Sequence, residues 1–544
     1  MPGDDSSSCL GSTGLNVHRD LKERPSRQFR PRERRLRPRL RFLLDLASLL
    51  VAAIGMVICL RAGSTAPFGP LLGLAIPAGR LVLSAEYRWR VGAGFLRIWG
   101  QVQHFSRGRG PIPWLAAFAL VSLPFFVLDM VHRGSLVTFD TRPVIPTTVS
   151  LVREGDWDLR EFDQPGTRRL LRDSDGQFHY CFQEVGGHIV STFHSGMVPF
   201  ALAVVAPAYL CGADLDSPRT LQYLEKVTAA LVASLSLGLF FLTASRLGSA
   251  SAAAMVTLFL ATGSGVLTIV GLGVWQHGGV ITWLLVAMLV EFSSRSAPDW
   301  RGLLVQGFAL GQMLACRPTA GLLVAVFGLW VLVRSPRRGV LLGMTGLAAA
   351  APWIAFYRLV YHSLLGPATV RTNVSAGLWS FFRIGPMLGT LVSPGRGLLV
   401  YQPWAILAVV TLITWPRLRA RTDLTGGPSG WVAFAGLGSL LHLVLVSAWW
   451  DWPGGYSWGS RLSTDILPLL GLLAVPSAAL LLESRVGRGL LLGLVLVGLA
   501  VHLPCILWDA HRWNWLEPRD HWSWSNPPFL YRPPTGVSRF GSGG

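Results

Sequence analysis

Fourteen apolar stretches, many of them close to twenty residues long, constrain the fold of this chain more than any other feature. They lie at 42–60, 67–84, 113–131, 197–213, 225–245, 251–270, 274–291, 302–316, 319–334, 339–361, 398–416, 431–449, 464–482 and 488–507. A bilayer's hydrocarbon core is about 30 Å thick, which a helix crosses in about 20 residues. Inside that core every backbone polar group must be satisfied by the protein itself, so only helices and closed barrels span it. A barrel would show alternating segments of about ten residues, and none are present. The expectation is an all-α polytopic membrane protein. Charged residues make up 14% of the 544, against about 25% in soluble domains.

The net charge of +19 does not point to nucleic acid. Much of it sits between Arg19 and Arg41, just before the first apolar run. Clustered Lys/Arg beside a first span hold that end in the cytoplasm. Residues 1–41 therefore read as a basic, disordered cytoplasmic tail with an affinity for anionic membrane lipids. No small-residue cleavage site follows it, so no removal as a signal peptide is expected. Residues 42–110 read as a transmembrane hairpin and a cytoplasmic loop with Arg88, Arg90, Arg97, Arg107 and Arg109. The run 113–131 then exits, which puts a large loop, 132–196, outside.

Counting back from the C-terminus gives a second orientation. Arg485, Arg488, Arg417, Arg334, Arg337, Arg338, Arg295, Arg301 and Arg246 all belong on the cytoplasmic side. The segments 362–397 and 450–463 and the Trp-rich tail 508–544 are then outside. The two counts differ by one crossing. The short run 197–213, with Pro199 and Pro207, is read as partial or re-entrant, leaving about 13 spans (12–14). A miscounted weak run, such as 251–270 with Gly263 and Gly265, is the other solution. Irregular backbone at membrane depth is tolerated only against protein or water, so both imply a cavity near the outer leaflet.

The composition holds only two lysines, Lys22 and Lys226, among many arginines, an association with GC-rich bacterial genomes. Six cysteines show no CxxC spacing, which gives no sign of a disulfide framework or zinc site.

Chemistry concentrates outside. Asp140 follows the third span closely, and a carboxylate held near apolar surface is shifted toward the range of a general base. An ordinary loop ion pair with Arg142 or Arg133 is the plainer alternative. Asp156 and Asp158, with Glu154 and Glu161 around them, suit either a solvated acidic turn or a hard cation such as magnesium or calcium. Arg317 sits between two apolar runs with Pro318 behind it, placing a charge at the outer interface or in the cavity. His277 starts a span from the outside. Arg396 stands between Gly395 and Gly397, and Arg461 follows Trp458-Gly459-Ser460. An arginine fork beside aromatics suits a phosphate head whose tail lies in the bilayer.

Taken in order, these residues resemble the GT-C superfamily of integral-membrane glycosyltransferases, especially its protein mannosyltransferase and aminoarabinose-transferase types. The likeness rests on Asp140-Thr141-Arg142, then Glu154-Gly155-Asp156-Trp157-Asp158-Leu159, then Ser191 to Pro199. It continues through Trp275-Gln276-His277, Arg317-Pro318-Thr319, Ser393 to Tyr401, and Trp458-Gly459-Ser460-Arg461. It covers roughly 113–507. His194-Ser195-Gly196 departs from the Pro-Pro-Gly-like run of such enzymes, and the two extra N-terminal spans lie outside their usual core.

The resemblance implies a GT-C-like bundle with a large first outer loop. It implies transfer of a hexose or pentose from a polyprenyl-phosphate donor to a cell-envelope glycan, lipid or protein, outside the bacterial cytoplasmic membrane. Asp140 is the matching catalytic acid. Arg396 and Arg461, with Arg317 behind them, are the matching holders of donor phosphate. Arg142, His277, Trp458, Asp156 and Asp158 are support, the last two with a divalent metal left open. The main alternative is a transporter or flippase of lipid-linked sugars.

Overall fold

The computed structural model describes residues 111–131, 138–294, 299–364, 366–367, 383–420, 427–508, 510–516 and 520–532. All belong to the second of two compact units, Val91–Gly544. The basic tail 1–41, the hairpin 42–110 and the last residues of 508–544 lie outside the described residues.

The described residues begin with α1 (Pro111–Val131), and the segment 138–196 that follows contains α2 (Val144–Arg153). A two-stranded antiparallel hairpin follows, β1 (Phe182–Val185) and β2 (His188–Ser191), with Phe182 paired to Ser191. Next come α3 (Val198–Leu210), α4 (Pro218–Ala244), α5 (Ala250–Thr262), α6 (Gln276–Ser293), α7 (Trp300–Cys316), α8 (Gly321–Arg334) and α9 (Pro336–Tyr361). The remainder is α10 (Ile384–Val392), α11 (Leu398–Tyr401), α12 (Ile406–Leu418), α13 (Trp431–Ser447), α14 (Leu467–Leu482) and α15 (Arg485–Trp508).

Helix α14 lies at the centre: Leu467 to Ala479 are all buried. It packs on α12, α5, α13 and α15, while α1, α4, α6, α7 and α9 form a neighbouring series. The α7–α9 contact is close because the facing residues are small. A Cβ at Gly311 would come within 2.7 Å of Ala349 Cβ. Small residues let helices approach where apolar burial alone cannot drive association. The far side of α9 exposes Met344, Leu347 and Leu359, as expected of a surface turned to lipid.

Among the described residues, five helical segments are long and apolar enough to cross a membrane: Pro218–Ala244, Gln276–Ser293, Pro336–Tyr361, Arg461–Leu482 and Arg485–Ile506. The expected thirteen is therefore corrected. Several expected runs are shorter or broken helices among the described residues. Helix α3, over the run 197–213, has 13 residues. The run 251–270 splits at Gly263 into α5 and a π turn, Val266–Val270. The run 398–416 splits at Gln402-Pro403, where proline supplies no amide for the helix ladder. The segment 138–196 is not plain coil either. Helix α2 buries every residue from Val144 to Ser150.

Candidate active site

Asp140 is positioned by a tight turn. Thr141 and Arg142 both donate their backbone N–H to Thr138 O, at 3.1 and 3.0 Å. Thr141 is fully buried, and the chain runs directly into the buried face of α2. Arg142 lies over the Phe139 ring, 4.5 Å from its centroid, and reaches Leu170 O at 3.5 Å. Asp140, between these anchors, receives two donors. Arg461 Nη1 donates to Oδ2 at 2.6 Å, and Tyr180 Oη donates to Oδ1. The Arg461 and Asp140 side chains are only 13% and 16% exposed. Their attraction is therefore screened less than that of a surface pair.

Arg461 is delivered by a glycine turn. Gly459 has φ +63°, and a Cβ there would strike the Tyr401 ring at 2.5 Å. That turn seats Trp458 edge-on to Tyr401, ring centroids 6.0 Å apart, and sends Arg461 over Trp275 at 4.6 Å. A guanidinium over an indole face is held by the ring's quadrupole.

Arg461 opens a 3-10 turn that ends at Ile466 and carries Asp465. Asp465 is fully buried and collects cationic and imidazole partners. His277 Nδ1 donates to it at 2.8 Å, Arg317 Nη1 at 3.2 Å, and His442 Nε2 lies 3.7 Å away. Arg317 sits where α7 ends before Pro318, its Nη1 2.8 Å from His277 Nε2. The adjoining loop is tied to that turn by Gly196 N–H donating to Ala315 O at 2.9 Å. Two ion pairs, Asp140–Arg461 and Arg317–Asp465, thus meet through one short turn.

The structure brings together Asp140, Arg461, Arg317, His277 and Trp458, with Arg142 beside them. Arg396 is placed differently. It is 2% exposed and donates to Gly395 O, Gly455 O and Asn514 Oδ1, lying over Trp513. Its guanidinium clamps the C-terminal segment. Asp156 and Asp158 serve the loop itself. Asp156 Oδ1 accepts from Ser150 Oγ at 3.0 Å and Asp158 N at 3.1 Å. Asp158 accepts from Ile189 N at 2.9 Å and His188 Nδ1 at 2.8 Å, pinning the hairpin. Among the described residues no three His, Cys, Asp or Glu side chains gather as metal ligands.

The loop also holds Glu161, whose carboxyl is pushed up to about 7, first by burial and then by Glu154 and Asp156 nearby. Burial and the neighbouring Arg142 lower the imidazole of His179.

Sequence reasoning missed Tyr180 and Asp465 as cluster members and noted Trp275 only within the run Trp275-Gln276-His277. Asp465 carried a usable signal, an acid at the head of an apolar run. Tyr180 carried none, because a lone loop tyrosine looks like any other.

The segments that build this cluster also hold buried donors without a protein partner among the described residues. They are Arg461 Nε, Trp275 Nε1, Gln276 Nε2 and Trp458 Nε1. Two of these donors belong to side chains in contact with each other, Arg461 and Trp275. Comparison of the chain with protein-family models and with curated proteins finds no match.

Proposed function

We propose that this protein is a GT-C-type glycosyltransferase of the bacterial cytoplasmic membrane. It would move a hexose or pentose from a polyprenyl-phosphate donor to an acceptor hydroxyl on the outer face. The observation that carries the reading is the Asp140–Arg461 contact, with Arg317 on the same turn. An acid of the first outer loop meets an arginine at the head of a membrane-length segment, the juxtaposition such a reaction needs.

Asp140 takes the proton of the acceptor hydroxyl as its oxygen attacks the anomeric carbon. The bond from that carbon to the phosphate oxygen breaks, and the lipid phosphate leaves as an anion. Arg461 and Arg317 stabilise its developing charge. Donor phosphate competes for Arg461, so donor binding loosens Asp140 from its ion pair and readies it as a base. Arg396 is left out of the donor site, since its guanidinium is buried against Asn514. Asp156 and Asp158 shape the loop.

The transporter or flippase reading draws on a separate observation. Asp129 on α1 and Lys226 on α4 are both buried, and Lys226 Nζ donates to Gly271 O at 3.2 Å. Buried charges in spanning helices are the usual mark of coupled carriers. The orphan donors beside Arg461 are better explained by a phosphate held for chemistry.

The deciding experiment is sugar transfer in membranes carrying Asp140→Asn, with the donor panel supplied as polyprenyl-phosphate sugars. Loss of transfer in a folded variant is expected; undiminished transfer overturns the assignment. Movement of labelled lipid by reconstituted protein, with no product formed, would favour the transporter.

A further inference from the structure

Asp140 is held at both oxygens, and the two partners differ in kind. Arg461 belongs to the helical bundle. Tyr180 belongs to the same outer loop as Asp140, 40 residues further on. Its backbone is fixed: Thr192 Oγ1 donates to Tyr180 O at 2.8 Å, and Thr192 N donates to Cys181 O at 2.9 Å. The residue is 53% exposed. The contacts that fix the hairpin at this point are made by backbone atoms of Tyr180 and Cys181, not by the phenol.

The phenol presents a hydroxyl from a flat ring. Its ring lies 5.5 Å from Phe139 and 6.2 Å from Phe193. On Phe139 it has His179 as a further neighbour, at 4.6 Å between centroids. Asp140 is therefore flanked by an aromatic shelf whose occupant delivers one hydroxyl to Oδ1.

We infer that Tyr180 occupies the acceptor's place, and that the acceptor displacing it is a sugar unit of a glycan, its ring packed against Phe139 and Phe193 with one hydroxyl on Asp140. This rests on the glycosyltransferase reading of the same site. A pyranose offers apolar C–H faces for the shelf and hydroxyls for Asp140 and His179. A serine or threonine side chain would reach Asp140 but leave the shelf uncovered. When the sugar hydroxyl replaces the phenol, its proton passes to Asp140 Oδ1 as the new C–O bond forms and the phosphate departs with its electron pair.

The test uses the full chain in detergent and a readout independent of turnover. Asp140 is labelled with a water-soluble carbodiimide and an amine, and the modified residue is quantified by mass spectrometry. Tyr180→Phe keeps the ring and removes the hydroxyl, so labelling of Asp140 should rise by roughly tenfold, the worth of a hydrogen bond to a charged group. Soluble oligosaccharides should protect Asp140 in both forms, and serine- or threonine-containing peptides should not. In transfer assays, Tyr180→Phe should lower the acceptor KM. Equal labelling in the two forms overturns the placement of Tyr180. Protection by the peptides in place of the oligosaccharides overturns the acceptor class. Absence of transfer by the wild-type protein from every donor counts against the glycosyltransferase reading, while the labelling ratio still decides what Tyr180 covers.

Discussion

Asp140 and Arg461 stand 321 residues apart in the chain and 2.6 Å apart in the structure. The loop acid and the head of a spanning segment are therefore assembled as one unit. If that unit is catalytic, Asp140→Asn should cut transfer by about 10²- to 10⁴-fold, the usual worth of a positioned general base. Circular dichroism and the melting temperature of the variant should show that the fold survives.

Arg461 is predicted to matter by its shape as well as its charge. Lysine keeps the charge and loses both the planar fork and the stacking on Trp275. Arg461→Lys should raise the donor KM by about tenfold, the worth of one charge-assisted hydrogen bond, with a smaller effect on acceptor KM. Initial-rate kinetics over both substrates would separate the two.

The same pair can be weighed without an assay. Asp140→Asn and Arg461→Met each strand a partly buried partner, whereas the double variant strands none. The double variant should lose less stability than the sum, with a coupling of about 0.5–3 kcal/mol. Strict additivity in chemical unfolding would deny the interaction.

Asp465 is predicted to be the structural keystone. It is fully buried and faces His277, Arg317 and His442. Removing one partner of a buried pair leaves an uncompensated charge, at a cost of about 3–5 kcal/mol. Asp465→Asn should lower the melting temperature far more than Asp156→Asn, whose carboxylate is bound to a serine hydroxyl and one amide on the loop.

Glu161 supplies a pH dependence. Burial raises its carboxyl from 4.5 to about 7, so the folded state holds the proton more tightly than the unfolded chain. That contribution to stability is complete below about pH 4.5 and is lost as pH rises through about 7. The melting temperature of the wild type should therefore fall relative to Glu161→Gln between those limits. Parallel curves for the two proteins would refute the assignment.

The legible part of this protein is the part set by local chemistry. Apolar runs alone establish a mostly helical architecture with membrane-length segments, because burying backbone in lipid leaves few other choices. They overstate how many segments are continuous. Pro403 and Gly263 break runs that hydropathy joins, since hydropathy measures transfer from water and is blind to a missing amide or a glycine turn. Asp140, Arg461 and Arg317 stood out as charges in unusual settings, and the fold gathers them. Arg396 stood out by the same rule, yet tertiary packing spends it on Asn514. Tyr180 and Asp465 owe their importance to partners far away in sequence. What a side chain is worth depends on which groups share its buried surroundings, and only the packed structure decides that.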